Sequence, residues 1–178
     1  MKIQYRPEID GMRALAIVPV ILFHSGFDMF SGGYVGVDIF FVISGYLITT
    51  ILITDIENKR FSLIYFYERR ARRILPALYF VLITATLYGF FTTPFYSRDL
   101  FQSIFATTIF SENILLYIES ANYFDSDIEK KLLFHTWSLA IEEQFYLIFP
   151  ILLFLTWRFG KYKVFLIIII LFSISFLL

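Results

Sequence analysis

Apolar runs of near-equal length recur along this chain, separated by short polar or glycine-bearing breaks. The first covers about 13–27 and stops before Ser31-Gly32-Gly33; the second, about 34–53, carries GVDIFFVISGYLITTILI. A third, about 74–93, has Pro76 near its start and Pro94 just beyond its end, two places where helices accept proline. The fourth, about 100–118, is interrupted by Ser, Thr, Glu112 and Asn113 and reads either as a span or as an interfacial helix. The fifth covers about 135–159 and the sixth about 164–178. Each is near the roughly 20 residues that a helix needs to cross a bilayer. The pattern predicts an all-α, polytopic transmembrane helix bundle with five to six spans.

Composition agrees with a bilayer as solvent. Of 178 residues, 58% are hydrophobic and 21% aromatic but only 17% charged, and mean hydropathy is +0.72. A soluble domain of this size needs far more polar surface. Fifteen basic and fifteen acidic residues cancel, so no global field points to nucleic acid. Without cysteine there is no disulfide framework or thiol nucleophile, and two histidines far apart make no metal site. The first apolar run follows Glu8 and Asp10 and lacks a small-x-small cleavage site, so it does not read as a signal peptide.

The last run, VFLIIIILFSISFLL, continues to Leu178 with no polar flank, which reads as the N-terminal portion of a longer, truncated protein. Orientation follows from the basic residues. The segment ENKRFSLIYFYERRARR between the second and third runs holds six Lys/Arg in seventeen residues. Such an excess marks a cytoplasmic loop, which puts the N-terminus, with Lys2, Arg6 and Arg13, on the cytoplasmic side. If the fourth run crosses, the basic 157–163 loop falls outside. If it is interfacial or re-entrant, that loop is cytoplasmic and the acidic 119–129 loop external, the arrangement favoured here.

Ionisable groups inside the apolar runs are costly and mark candidate chemistry. Arg13 and His24 lie eleven residues apart, close to three whole turns, so they share one helix face roughly 16 Å apart along the axis. Asp38, early in the second run, either orients the His24 imidazole or complements the helix N-terminus. The adjacent Ser44-Gly45 offers a place for a second backbone to approach closely. In the cluster Arg69-Arg70-Ala71-Arg72-Arg73, Arg70 and Arg73 are i,i+3 and form either an anion clamp with planar, bidentate guanidiniums or a determinant of topology and anionic-lipid contact. In the fifth run Ser138, Glu142 and Tyr146 fall along one face, with Gln144 round the side; Glu142 and Glu143 must point into a bundle or pair with arginine.

Taken in order, Arg13-x10-His24, GGYVGVDIFFVISGYLIT at 32–49, FYERRARRILPAL at 66–78 and HTWSLAIEEQFYLIFP at 135–150 resemble the acyltransferase family 3 membrane proteins. These are bacterial O-acyltransferases of surface sugars: lipopolysaccharide O-antigen, exopolysaccharide and peptidoglycan. The resemblance covers essentially the whole chain. It implies that Arg13 and His24 form the essential pair, that Arg70 and Arg73 are the cytoplasmic Arg-x-x-Arg, and that Glu142 is the acid of the Trp-Ser-Leu motif. It further implies about ten spans in the complete domain. The FHTWSLAIEEQFYL wording is similar to members with an added extracytoplasmic SGNH hydrolase-like domain.

Both lines lead to one expected activity: transfer of an acyl group, most simply acetyl, from acyl-CoA to a saccharide hydroxyl at the bacterial inner membrane. Arg70, Arg73 and Arg69 would hold the CoA phosphates, with Arg13 near the start of the path. His24 would act as general base or carry the acyl group itself, with Arg13, Asp38 and Glu142 as its catalytic company. Trp137, Ser138 and Tyr146 are the candidate contacts for the saccharide acceptor; membrane lipid is the other expected partner. The buried charges taken alone also fit a transporter or lipid-binding membrane protein, and the short chain an inactive fragment of the enzyme.

Overall fold

The computed structural model describes residues 7–92, 98–120 and 131–177. Lys2, Arg6, Thr93, most of the acidic 119–129 segment and Leu178 therefore lie outside the described residues. Seven α-helices and two short 3-10 turns account for nearly all of what is described, with no strand among those residues. They divide into two units, 1–61 and 62–178.

In the first unit, α1 (Pro7–His24) starts on a proline in its first turn with Glu8 and Asp10 beside it, residues that suit the donor-rich, positive end of a helix. It ends where Gly26 takes a left-handed φ of +81°. Gly26 N–H then reaches the Phe23 carbonyl and Phe27 N–H that of Leu22, closing the helix end. Two 3-10 turns (Asp28–Phe30 and Gly33–Val35) lead into α2 (Gly36–Glu57), which packs back along α1. Glycine makes this contact. A Cβ on Gly33 would stand 2.2 Å from the Pro19 carbonyl oxygen, and one on Gly36 would stand 2.0 Å from that of Ala16. Among the described residues nothing lies within 4 Å of a Cβ at Gly45; the close backbone approach occurs at the other end of the helix, where the turn brings the two backbones together.

The second unit begins with α3 (Leu63–Thr92), 30 residues and about 45 Å long. It starts a full three turns before residue 74, so the arginine cluster is helical rather than a loop. Local pairs explain this: Arg72 Nη2 donates to Glu68 Oε1 at 2.7 Å, and the Arg69 guanidinium lies 4.5 Å from the Tyr65 ring centre, both one turn apart. A hydrocarbon core of about 30 Å takes only part of this helix. The fourth apolar run forms two helices, α4 (Arg98–Thr108) and α5 (Glu112–Ser120), of 11 and 9 residues. Both are too short to cross a bilayer. The break is at Phe110, with φ +54°; Ser111 N–H bonds to Ala106 O at 2.8 Å and Phe110 N–H to Thr107 O at 3.1 Å, a helix-ending pattern that usually uses glycine.

Helices α6 (Thr136–Trp157) and α7 (Lys161–Leu177) complete the fold, joined through Gly160 at φ +92°. Leu78, Leu82 and Ala85 of α3 meet Leu133 in an apolar cluster, with Ile104, Phe110 and Leu139 packed against it. Three helical segments among the described residues are long and apolar enough to cross a membrane: Gly33–Glu57, Leu63–Thr92 and Thr136–Trp157. Of the five to six spans expected from the pattern, these three are matched among the described residues. The fourth run is broken, α7 has 17 residues, and α1 includes Glu8, Asp10 and Arg13 in its 18. Outward-facing Phe80, Phe91 and Phe172, each more than two-thirds exposed, fit lipid or further helices as neighbours, not water.

Candidate active site

Arg70 is the centre of the polar cluster in the second unit. Almost two turns of helix beyond the start of α3 place it opposite α6, where its guanidinium carbon lies 3.4 Å from the centre of the Tyr146 ring. Glu143 Oε1 stands 4.0 Å from Arg70 Nη2, and both side chains are nearly enclosed, at 14% and 13% exposure. The Tyr146 hydroxyl donates in turn to Glu142 Oε1, one turn back along α6. Tyr67, one turn before Ala71 on α3, ties the two helices by donating to the Leu147 carbonyl at 2.7 Å. Arginine suits this place because its flat, weakly hydrated head stacks on an aromatic face.

The cluster forms one side of a cavity of about 360 Å³. Tyr67, Arg70, Glu143 and Tyr146 give it a polar side, and Ile74, Leu75, Ile109, Phe110 and Leu147 an apolar one. Arg70 Nε and Nη2 and Glu143 Oε1 are buried without a hydrogen-bond partner among the described residues. Unpaired buried donors and acceptors of this kind each cost about 1–3 kcal/mol, more when charged; the cavity thus has a polar side with unmet hydrogen bonds beside an apolar one.

Gln144 shapes the cavity wall. Its Nε2 donates to the Phe110 carbonyl at 2.8 Å and to Asn113 Oδ1 at 3.0 Å, and Asn113 Nδ2 donates back at 3.3 Å. This reciprocal amide pair holds the strained break between α4 and α5 against α6. Nearby, Glu112 is fully buried; its Oε2 accepts from Thr107 at 3.5 Å, and Thr107 meets Thr136 at 2.9 Å. Burial pushes the Glu112 carboxyl up from its ordinary range, against the pull of Ser103, Thr107 and Lys131.

In the first unit, Arg13 and His24 do lie on one helix. The Arg13 guanidinium carbon lies 4.9 Å from the Phe40 ring centre, while its Nε is buried without a hydrogen-bond partner among the described residues. His24 Nδ1 lies 2.8 Å from the Val20 carbonyl oxygen of its own helix. A carbonyl can only accept, so Nδ1 carries the proton and Nε2 is the basic nitrogen of the neutral ring.

Comparison with known proteins agrees with the motifs. The model of the acyltransferase domain family matches residues 6–178. The chain belongs to that family. The peptidoglycan O-acetyltransferase OatA of Listeria monocytogenes is 45% identical over 157 residues, 86% of this chain and 25% of the relative. The O-acetyltransferase OatA of Staphylococcus aureus is 37% identical over 158 residues, 88% of this chain and 26% of the relative. The putative peptidoglycan O-acetyltransferase YrhL of Bacillus subtilis is 38% identical over 155 residues, 84% of this chain and 24% of the relative. The chain thus spans about a quarter of the length of the curated relatives it matches. No solved structure matches.

Within this acyltransferase domain, the structure sorts the candidate residues. Arg70, Glu142 and Tyr146 come together, and Glu143 joins them as the carboxylate nearest Arg70. Arg73 and Arg69 do not: both are exposed, so the i,i+3 pair does not present two guanidiniums to one space. Asp38 is exposed in the first turn of α2, where an acid complements the helix N-terminus, and the carbonyl at His24 Nδ1 is that of Val20. Ser138 Oγ donates back to the His135 carbonyl at 3.2 Å, within its own helix turn. Trp137 lines a separate groove on α6. Tyr67 and Asn113 are the site residues that sequence reasoning missed. A tyrosine one turn from an arginine, and two amides inside apolar runs, were the available signals.

Proposed function

We propose that the chain serves a membrane O-acetyltransferase of the bacterial inner membrane, N-terminus cytoplasmic, that moves an acetyl group from acetyl-CoA to a hydroxyl of peptidoglycan. The peptidoglycan named in two of the relatives, rather than O-antigen, supplies the acceptor in this reading. The observation that carries it is the cavity under Arg70, whose polar side and apolar length suit an amphipathic thioester arm. Arg70 engages the donor at the cavity, while exposed Arg73 and Arg69 meet its phosphates. His24 Nε2 takes the proton of the acceptor hydroxyl. The hydroxyl oxygen bonds to the acyl carbon, the carbon–sulfur bond breaks, and the proton passes to the departing thiolate. Glu142, holding the Tyr146 hydroxyl, is a positioning residue for Arg70. The relatives' greater length accommodates a further SGNH hydrolase-like domain in this reading.

Membrane vesicles of the source bacterium, given acetyl-CoA labelled in the acetyl group, test the proposal. Alkali-labile label should accumulate on cell-wall saccharide, and a chromosomal Arg70→Lys substitution should raise the KM for donor at least tenfold. Label that never reaches saccharide, or a donor KM unmoved by Arg70→Lys, overturns it.

A further inference from the structure

On the side of α6 away from Arg70, a second concavity of about 530 Å³ runs between α5 and α6. Tyr117, Phe134 and Trp137 line it together with the aliphatic Ile114, Leu116 and Ile141, and Asn113 and Ser120 supply its polar groups. Tyr117 is 76% exposed, so its ring is offered and not consumed in the core. Phe134 is already fixed edge-on against His135, ring centres 5.6 Å apart. Trp137 is in the first turn of a helix long and apolar enough to cross a membrane, and tryptophan and tyrosine favour the ends of such helices. Asn113 belongs to the groove and Gln144 to the cavity, so their reciprocal amide pair is the partition between the two.

We propose that this groove is a saccharide subsite, with Trp137 and Tyr117 as stacking platforms and Asn113 as the hydroxyl or N-acetyl contact. Flat rings beside amide and hydroxyl groups suit a sugar, whose ring faces are apolar while its rim is a belt of donors and acceptors. Beyond its two bonds to Gln144, the Asn113 amide keeps a second N–H and a second carbonyl lone pair, which a sugar rim would use and a lipid chain would not. The inference rests on the acyltransferase reading and adds the place where acceptor is held. It makes the Asn113–Gln144 pair the boundary between acceptor groove and donor cavity.

The chain has two tryptophans, so Trp157→Phe leaves Trp137 as sole reporter. The 178-residue chain carrying that substitution, in phosphatidylglycerol nanodiscs, is titrated with a tetrasaccharide of alternating N-acetylglucosamine and N-acetylmuramic acid. A saturable shift in Trp137 emission is expected, with at least a tenfold weaker midpoint in Tyr117→Ala, a substitution at an exposed position that leaves the core intact. No saturable shift, or an equal midpoint in Tyr117→Ala, overturns the subsite. So does strong quenching of Trp137 by brominated lipid tails that saccharide fails to relieve, since lipid then fills the groove. Saccharide binding without acetyl transfer in vesicles would sink the acyltransferase reading alone; transfer unaffected by Tyr117→Ala would sink the subsite alone.

Discussion

The Arg70 guanidinium carbon lies 3.4 Å from the centre of the Tyr146 ring, with Glu143 Oε1 4.0 Å away from Nη2. A cation thus reaches a nearly enclosed place between α3 and α6 by leaning on an aromatic face instead of forming a close ion pair. Such a contact is worth roughly 2 kcal/mol when desolvated. Tyr146→Phe keeps the ring and loses the bond to Glu142, whereas Tyr146→Leu loses both. Acetylation should fall modestly in the first and by more than tenfold in the second, measured as alkali-released acetate from purified cell wall. Equal losses in both would show that the hydroxyl, not the ring, is what Arg70 depends on.

His24 is expected to work through Nε2, because Nδ1 is committed to Val20. His24→Gln keeps hydrogen bonding but takes no proton, and removing a general base costs roughly 10²–10⁴ in rate. Cell-wall acetylation should therefore drop at least a hundredfold at unchanged protein level in membranes. Wild-type acetylation by His24→Gln would make the residue structural.

Gly36 faces the Ala16 carbonyl so closely that a methyl group cannot be seated without parting α1 from α2. Overpacking of this type costs about 1–3 kcal/mol. Gly36→Ala should lower the thermal unfolding midpoint in detergent, whereas Gly45→Ala, with open space around the new carbon, should be neutral or slightly stabilising. The reverse ranking would contradict the packing described for the first unit.

Glu112 offers a pH test. Its folded-state pKa is raised, burial being the chief cause. The folded state therefore holds the proton more tightly than the unfolded chain, whose Glu titrates near about 4.3. Stability from the protonated form is complete below that value and declines as pH rises through the folded pKa. Glu112→Gln removes the decline, so the variant should gain in unfolding midpoint over the parent at pH 8 but not at pH 4. A constant difference across that range would mean that the carboxyl keeps its ordinary pKa.

What the amino-acid pattern determined by itself was the solvent and the chemistry. Apolar runs, the Arg13–His24 spacing, the arginine cluster and the Trp-Ser-Leu segment all depend on identity and short spacing, and helices carry those into space without help from elsewhere. Gly26 and Gly160 mark their helix ends legibly because glycine enters the left-handed region at little cost. Phe110 and Lys59 end helices in the same way, at φ +54° each, and no local rule announces a phenylalanine or lysine there. At Phe110 the tertiary contact from Gln144 secures the carbonyl, and the fourth run thereby becomes two short helices instead of a span. The choice between equivalent neighbours was likewise out of reach of spacing. Which glutamate meets Arg70, and whether Arg73 follows it inward, depend on where α6 lies against α3; that is set by contacts between residues 80 positions apart, such as the Tyr67 hydroxyl on the Leu147 carbonyl, and only packing brings those together.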